Sequence, residues 1–202
     1  HVVDQAVADL DSLGATVIDP ATVPGFSVLR QNHWCADFRA DLESFLAGYV
    51  KKDELRTLED VMSIGTSSAY TEKRMQAFAA NKGRWNAPAT PCDDAYTDSL
   101  RIAFREAIEN VMDSLKLDAI VYPSWNHRPA RIESFQEEYK GDNSQIISPH
   151  TGQPAFTVPM GRTRGNLPVG LQFLGRMFSE STLIKLCYSY DQGTRHRVAP
   201  DL

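Results

Sequence analysis

Long hydrophobic runs are missing from this chain of 202 residues. Its longest apolar pieces are strand-sized, such as Ala119-Ile120-Val121, far below the ~20 residues a bilayer-spanning helix needs, so no membrane helix is expected. Cysteine is scarce. Cys35, Cys92 and Cys187 are widely spaced and odd in number, which fits neither a disulfide framework nor zinc-ligand spacing and suggests a reducing, cytoplasmic setting. Positive charge is also short, with 21 Lys and Arg against 26 Asp and Glu and a net charge of -5. Counterion release from a polyanion requires clustered basic residues, so no nucleic-acid partner is expected. No Gly-x-Gly-x-x-Gly or P-loop spacing occurs, and Gly152, Gly161, Gly170 and Gly175 punctuate strands instead of cradling a phosphate. Repeats and low-complexity tracts are absent. There is no initiator Met, basic n-region or signal-type apolar core before His1, and the start inside a helical pattern suggests truncation.

What is present is enough apolar content, 42%, to bury one sizeable core, so residues 1–202 read as a single globular unit. Val3, Ala6, Val7 and Leu10 share a helical face, Gly14 stops that helix, and Ala15-Thr16-Val17-Ile18 reads as a strand. A second helix carries Phe38, Leu42, Phe45 and Leu46; a third, short one begins at Thr57 with Glu59 and Asp60 in its first turn. The stretch Ala79–Pro91 has weak periodicity and reads as a loop. The clearest helix runs from about Tyr96 to Lys116, with Leu100, Phe104, Ala107, Ile108, Val111 and Leu115 in register. A buried strand, Ala119-Ile120-Val121-Tyr122, then ends at Pro123 and opens the loop Ser124-Trp125-Asn126-His127. Two more strands, Ala155–Val158 and Gly170–Leu174, flank a Gly/Asn/Pro turn and make a hairpin-like pair. A last helix follows Ser179 as N-cap and buries Leu183, Leu186, Cys187 and Tyr190, with Arg195, His196 and Arg197 facing its C-terminal dipole.

The most specific stretch is Ser144 to Phe178. It reads Gly152-Gln153-Pro154-Ala155, then Val158-Pro159-Met160-Gly161, then Leu167-Pro168-Val169-Gly170-Leu171-Gln172-Phe173-Leu174-Gly175, and closes with Phe178-Ser179-Glu180. This order of turn, strand, tight turn and strand resembles the C-terminal signature of amidase-signature hydrolases. The resemblance implies an α/β fold, a mixed sheet flanked by helices, of which this chain is the C-terminal portion. It also implies hydrolysis of a small carboxamide without metal or organic cofactor. In that family one serine attacks while a second, in a cis peptide, relays its proton to a lysine; both serines lie in a glycine-rich stretch upstream. No such segment occurs here, so no catalytic residue is assigned and the chain alone is expected to be inactive. Gly65-Thr66-Ser67-Ser68 lacks flanking glycines and reads as helix-end capping.

Substrate-facing elements are better represented. Tyr139-Lys140-Gly141-Asp142 precedes Gly152 by the interval that a Tyr-x-x-Asp has in glutamyl-tRNA amidotransferase A subunits, and the resemblance implies that Asp142 clamps a substrate ammonium. The alternative is a side-chain turn with Asn143 and Ser144. Those subunits have Asn three residues before the signature glycine, where this chain has Pro149, so its substrate need not be glutamine. Thr151 and Gly152 stand on the turn that the resemblance makes substrate-facing. Trp125 and Asn126, just beyond a buried strand, read as pocket walls, the ring supplying apolar area and the amide orientation; a Trp plugging the edge of the core is the other reading. His150 has no Ser-His-Asp spacing and is expected to hydrogen-bond within its loop, and Cys35 beside Trp34 and His33 to pack at a helix start. Two rivals to the hydrolase remain: a non-catalytic binding or scaffold protein with half an amidase fold, and part of an amidotransferase subunit. The isolated chain is expected to expose an apolar sheet face and to associate.

Overall fold

The computed structural model describes residues 2–31, 33, 38–80, 93–141 and 143–199. In order they form α1 (Val2–Ser12), α2 (Phe26–Leu29), α3 (Phe38–Tyr49), α4 (Leu58–Ile64), α5 (Ala69–Ala79), α6 (Ser99–Ser114), β1 (Ile120–Pro123), α7 (Phe135–Glu138), a 3-10 turn (Asn143–Gln145), α8 (Ser148–Thr151), β2 (Ala155–Arg162), β3 (Pro168–Leu174) and α9 (Glu180–Thr194). They gather into two compact units, Gln31–Asp94 and the remainder, His1–Arg30 with Ala95–Leu202.

The larger unit is built on a three-stranded sheet of order β1-β3-β2, every pairing antiparallel. The α/β class is as expected; the strands described are antiparallel and not mixed. Alternation along β3 decides the layers. Leu171 and Phe173 point to one face, where Met160, Ala6 of α1 and Leu183, Cys187 and Tyr190 of α9 complete a core. Leu174 points to the other, against Phe104, Ile108 and Met112 of α6 and Ile147. Both faces are therefore filled where β3 crosses, with Leu171, Phe173 and Leu174 at most 2% exposed. This differs from the uncovered sheet face expected above. The outer strands are blunted too: Pro123 ends β1, and Pro159 sits at a register shift in β2 before Gly161, so neither offers an unbroken ladder to another chain.

Local chemistry explains the element ends. Asp98 caps α6 by accepting from the amides of Leu100 and Arg101, at 2.8 and 3.0 Å. The β2–β3 turn closes when the Thr163 amide donates to Leu167 O at 2.9 Å, with Asn166 in the left-handed region at φ 59°. Ala15–Ile18 forms no regular element and pairs with no strand among the described residues; β-branched content alone does not make a ladder. Ser179 does occupy the N-cap position of α9, yet its hydroxyl donates back to Arg176 O at 2.8 Å and caps no helix amide.

The segment after α9 turns back instead of serving its dipole. Arg195 takes a left-handed cap conformation, and His196 reaches Asp9 of α1, Nε2 to Oδ2 at 2.7 Å, while Gln5 donates to the other carboxylate oxygen at 2.9 Å. Burial pushes the Asp9 carboxyl up, but hydrogen bonds from His196, Gln5 and Tyr190 and the electrostatic attraction of His196 together hold it below its ordinary value. A carboxyl lowered on folding stabilises the fold above its unfolded pKa, and that contribution is lost as pH falls through the folded value. His196→Ala should cost about 1 kcal/mol near neutral pH, the pair being partly open to water. The difference should shrink below about pH 4 as Asp9 protonates in both proteins. Thermal melts of the two proteins across this range check it.

The smaller unit is a helical cluster of α3, α4 and α5. Thr57 and Asp60 form a reciprocal capping box at the start of α4, and the Arg56 guanidinium donates to Leu46 O and Val50 O at 3.1 and 2.7 Å, closing the C-terminal end of α3. Phe38 stacks on Phe78 at 4.4 Å, and Leu58 is fully buried.

Candidate substrate-side site

The polar end of the sheet is where β1 stops. Ser124 continues the ladder by donating its amide to Gly170 O at 2.8 Å, and its buried hydroxyl lies 3.3 Å from that of Thr157. The Ser124 carbonyl then receives two amides, Asn143 at 3.0 Å and Ser144 at 3.2 Å, while Asn143 Nδ2 donates to Pro123 O at 2.9 Å. The strand end and the 3-10 turn are thereby pinned together. Asn126 and Trp125 project from this pinch. Asn126 Nδ2 is 3.5 Å from Asn143 Oδ1, and the Trp125 ring meets Tyr139 edge-on at 6.0 Å, with Phe135 stacked on Tyr139 at 5.1 Å. Trp125 keeps 37% of its surface open, so it does not plug the core edge.

Thr151 and Gly152 occupy a different setting. They close the single turn of α8, where Pro149 suits a first-turn position because its missing N–H would have no helical partner. Thr151 is fully buried; its hydroxyl donates to Ile147 O at 3.1 Å and accepts the Gln153 amide at 3.3 Å. Gly152 has φ 75°, and a Cβ there would come within 2.9 Å of Ala95 Cβ, so both backbone conformation and space call for glycine. α6 holds this turn from outside through Arg105, which donates to Thr151 O at 3.0 Å. Gln153 spans to the other strand end, its Nε2 donating to Gly175 O at 2.9 Å. His150 is buried in the same turn, and its carbonyl receives Arg101 Nη1 at 3.4 Å.

The structure thus brings Trp125 and Asn126 together with Asn143, Tyr139 and Phe135, and sets Thr151 and Gly152 in a packed turn fastened to α6. Asp142, between Gly141 and Asn143, lies outside the described residues, as do Cys35 and Trp34. Asn143 and Tyr139 were missed as partners of the loop. Their signal in the sequence was weak, an aromatic and an amide flanking the Lys-Gly-Asp step. Among the described residues no group of three or more His, Cys, Asp and Glu could hold a metal ion, and no helix is long and apolar enough to cross a membrane.

Comparison with known proteins decides the family. The family model described as Amidase matches residues 1–184. The chain belongs to the amidase family. It is 30% identical over 181 residues to the glutamyl-tRNA(Gln) amidotransferase A subunit of Clostridium botulinum (strain Eklund 17B / Type B), covering 83% of this chain and 36% of that relative. It is 26% identical over 213 residues to a protein of Arabidopsis thaliana described as a probable amidase, covering 98% of this chain and 37% of the relative. Among solved structures, native peptide amidase from Stenotrophomonas maltophilia matches with a TM-score of 0.62 at 25% identity, over 99% of this chain and 40% of that one. The chain therefore spans well under half the length of these amidase-family relatives, and its α/β architecture is theirs in part.

Proposed function

We propose that this chain supplies the scaffold and the substrate-side loops of an enzyme that hydrolyses the carbon-nitrogen bond of a small carboxamide in the cytoplasm, with no cofactor. The observation that carries the reading is the pinned strand end: Ser124 O held by two amides of the Asn143 turn, with Trp125 and Asn126 projecting beside it. Such a site fixes a small ligand, since ring area binds its apolar part and oriented amides satisfy its polar atoms. The chemistry must come from a nucleophile and base that this chain lacks. Asp142 stands beside this pinch in sequence and is assigned the binding of a cationic group on the substrate; Thr151 and Gly152 shape the turn behind it. The amidotransferase A subunits among the relatives leave a second reading open, in which the same half-fold belongs to one component of a complex. The test is the upstream reading frame. A protein in which this chain follows a Gly/Ser-rich segment and its lysine should release ammonia from simple primary amides on its own. Release only in the presence of other subunits would favour the amidotransferase reading, and no release under either condition would favour a binding protein.

A further inference from the structure

Residues 125–141 form a connection longer than the about 12–15 residues beyond which an ordered loop commonly has a binding role, and α7 is its only helical turn. Its order comes from within. The ends are pinched at Ser124 and Asn143, and the two arms differ in charge, Arg128 and Arg131 on one and Glu133, Glu137 and Glu138, followed by Lys140, on the other. Arg131 joins them: its Nε donates to Glu138 Oε1 at 2.7 Å and its backbone amide to Oε2 at 3.1 Å. Those bonds, with the charges of Arg131 and Arg128, hold the Glu138 carboxyl below its usual range. Between the arms lie Phe135, Tyr139 and Trp125, in continuous ring contact. Were these rings only a small core for the loop, Trp125 would be enclosed by it; instead more than a third of its surface is open, next to the oriented amide of Asn126.

We propose that this loop is the specificity element of the amide site, that Trp125 and Tyr139 receive a neutral planar group carried by the substrate, and that Arg131 and Glu138 are positioning residues for those rings. The inference rests on the amide-hydrolase reading above and names its substrate class, aryl-bearing carboxamides. Planarity follows from the rings, because an edge-on pair leaves a face for an offset stack. Neutrality follows from the balance of formal charge along the loop, Arg128, Arg131 and Lys140 against Glu133, Glu137 and Glu138, which leaves no net field at the rings to select an ion; a cationic group elsewhere on the substrate falls to Asp142.

The experiment is a titration of this chain with benzamide and with acetamide, followed by the NMR signal of the Trp125 indole N–H, assigned by its disappearance in Trp125→Phe. Benzamide should shift that signal saturably, and acetamide should not move it. Glu138→Gln, which keeps the shape of the side chain, should weaken benzamide about three- to tenfold, the size of one aromatic contact. Raising the ionic strength to about 0.5 M should act in the same direction on the unsubstituted chain, by screening the exposed pair. An unmoved Trp125 signal, or equal shifts with both amides, overturns the aryl site; unchanged benzamide affinity in Glu138→Gln and at high salt overturns the positioning role. The amide-hydrolase reading fails separately. Absence of ammonia release from the serine-bearing protein would sink that reading while leaving a benzamide response at Trp125 intact.

Discussion

A fluorophosphonate probe is expected to leave every serine of this chain unlabelled. Labelling requires a hydroxyl sharpened by a base, and seven of the described serines are employed otherwise. Ser12, Ser63, Ser114, Ser148 and Ser179 each donate to a backbone carbonyl, at distances from 2.7 to 3.0 Å. Ser124 is buried against Thr157, and Ser68 accepts the Thr71 amide at 3.2 Å as the N-cap of α5. None of these bonds involves a lysine or an imidazole. Removing nucleophile and base together leaves a serine hydrolase only the residual help of binding and fixed dipoles, on the order of 10³–10⁴ over water. Mass spectrometry of the probe-treated chain checks the expectation. Stoichiometric modification of Ser67 or Ser68 would show that Gly65-Thr66-Ser67-Ser68 is a nucleophile segment after all.

Much of this fold was legible because its elements advertise themselves locally. Of the expected stripe of α6, Phe104, Ile108 and Val111 are buried as their spacing requires while Leu100, in the first turn, stays 57% exposed, and Thr57 with Asp60 marks the start of α4. The hairpin is also legible, since the Gly-Asn step between two apolar runs names its own turn. What escaped was settled by distant partners. Ala15–Ile18 has strand composition but pairs with no strand among the described residues, and α5 hides behind a polar surface although Ser68, Tyr70, Arg74 and Phe78 carry its cap and spacing. His196 looked like a helix-end charge; its partner is Asp9, at the other end of the chain, which no local pattern reveals. The site divides in the same way. Trp125 and Asn126 stand where a strand end places them, whereas the bonds from Asn143 to Ser124 and Pro123 depend on a loop closing over itself.

That the substrate enters on this side, and that this chain chooses it without performing the chemistry, is tested most directly at Asp142. A loop carboxylate that holds a substrate ammonium contributes to binding in the ground state and the transition state alike, so its loss should appear in KM and spare kcat. A hydrogen bond to a charged group is worth about 1.5–3 kcal/mol, which corresponds to about a 10- to 100-fold change. The measurement is steady-state hydrolysis by Asp142→Asn and by its parent, in the protein that also carries the serine-rich segment, on a matched pair of amides with and without a free amine. The expected result is a KM raised about 10- to 100-fold for the amine-bearing amide, with kcat retained and the neutral amide unaffected. Equal losses on both amides, or a fall in kcat with KM unchanged, would contradict the assignment and return Asp142 to a purely structural turn.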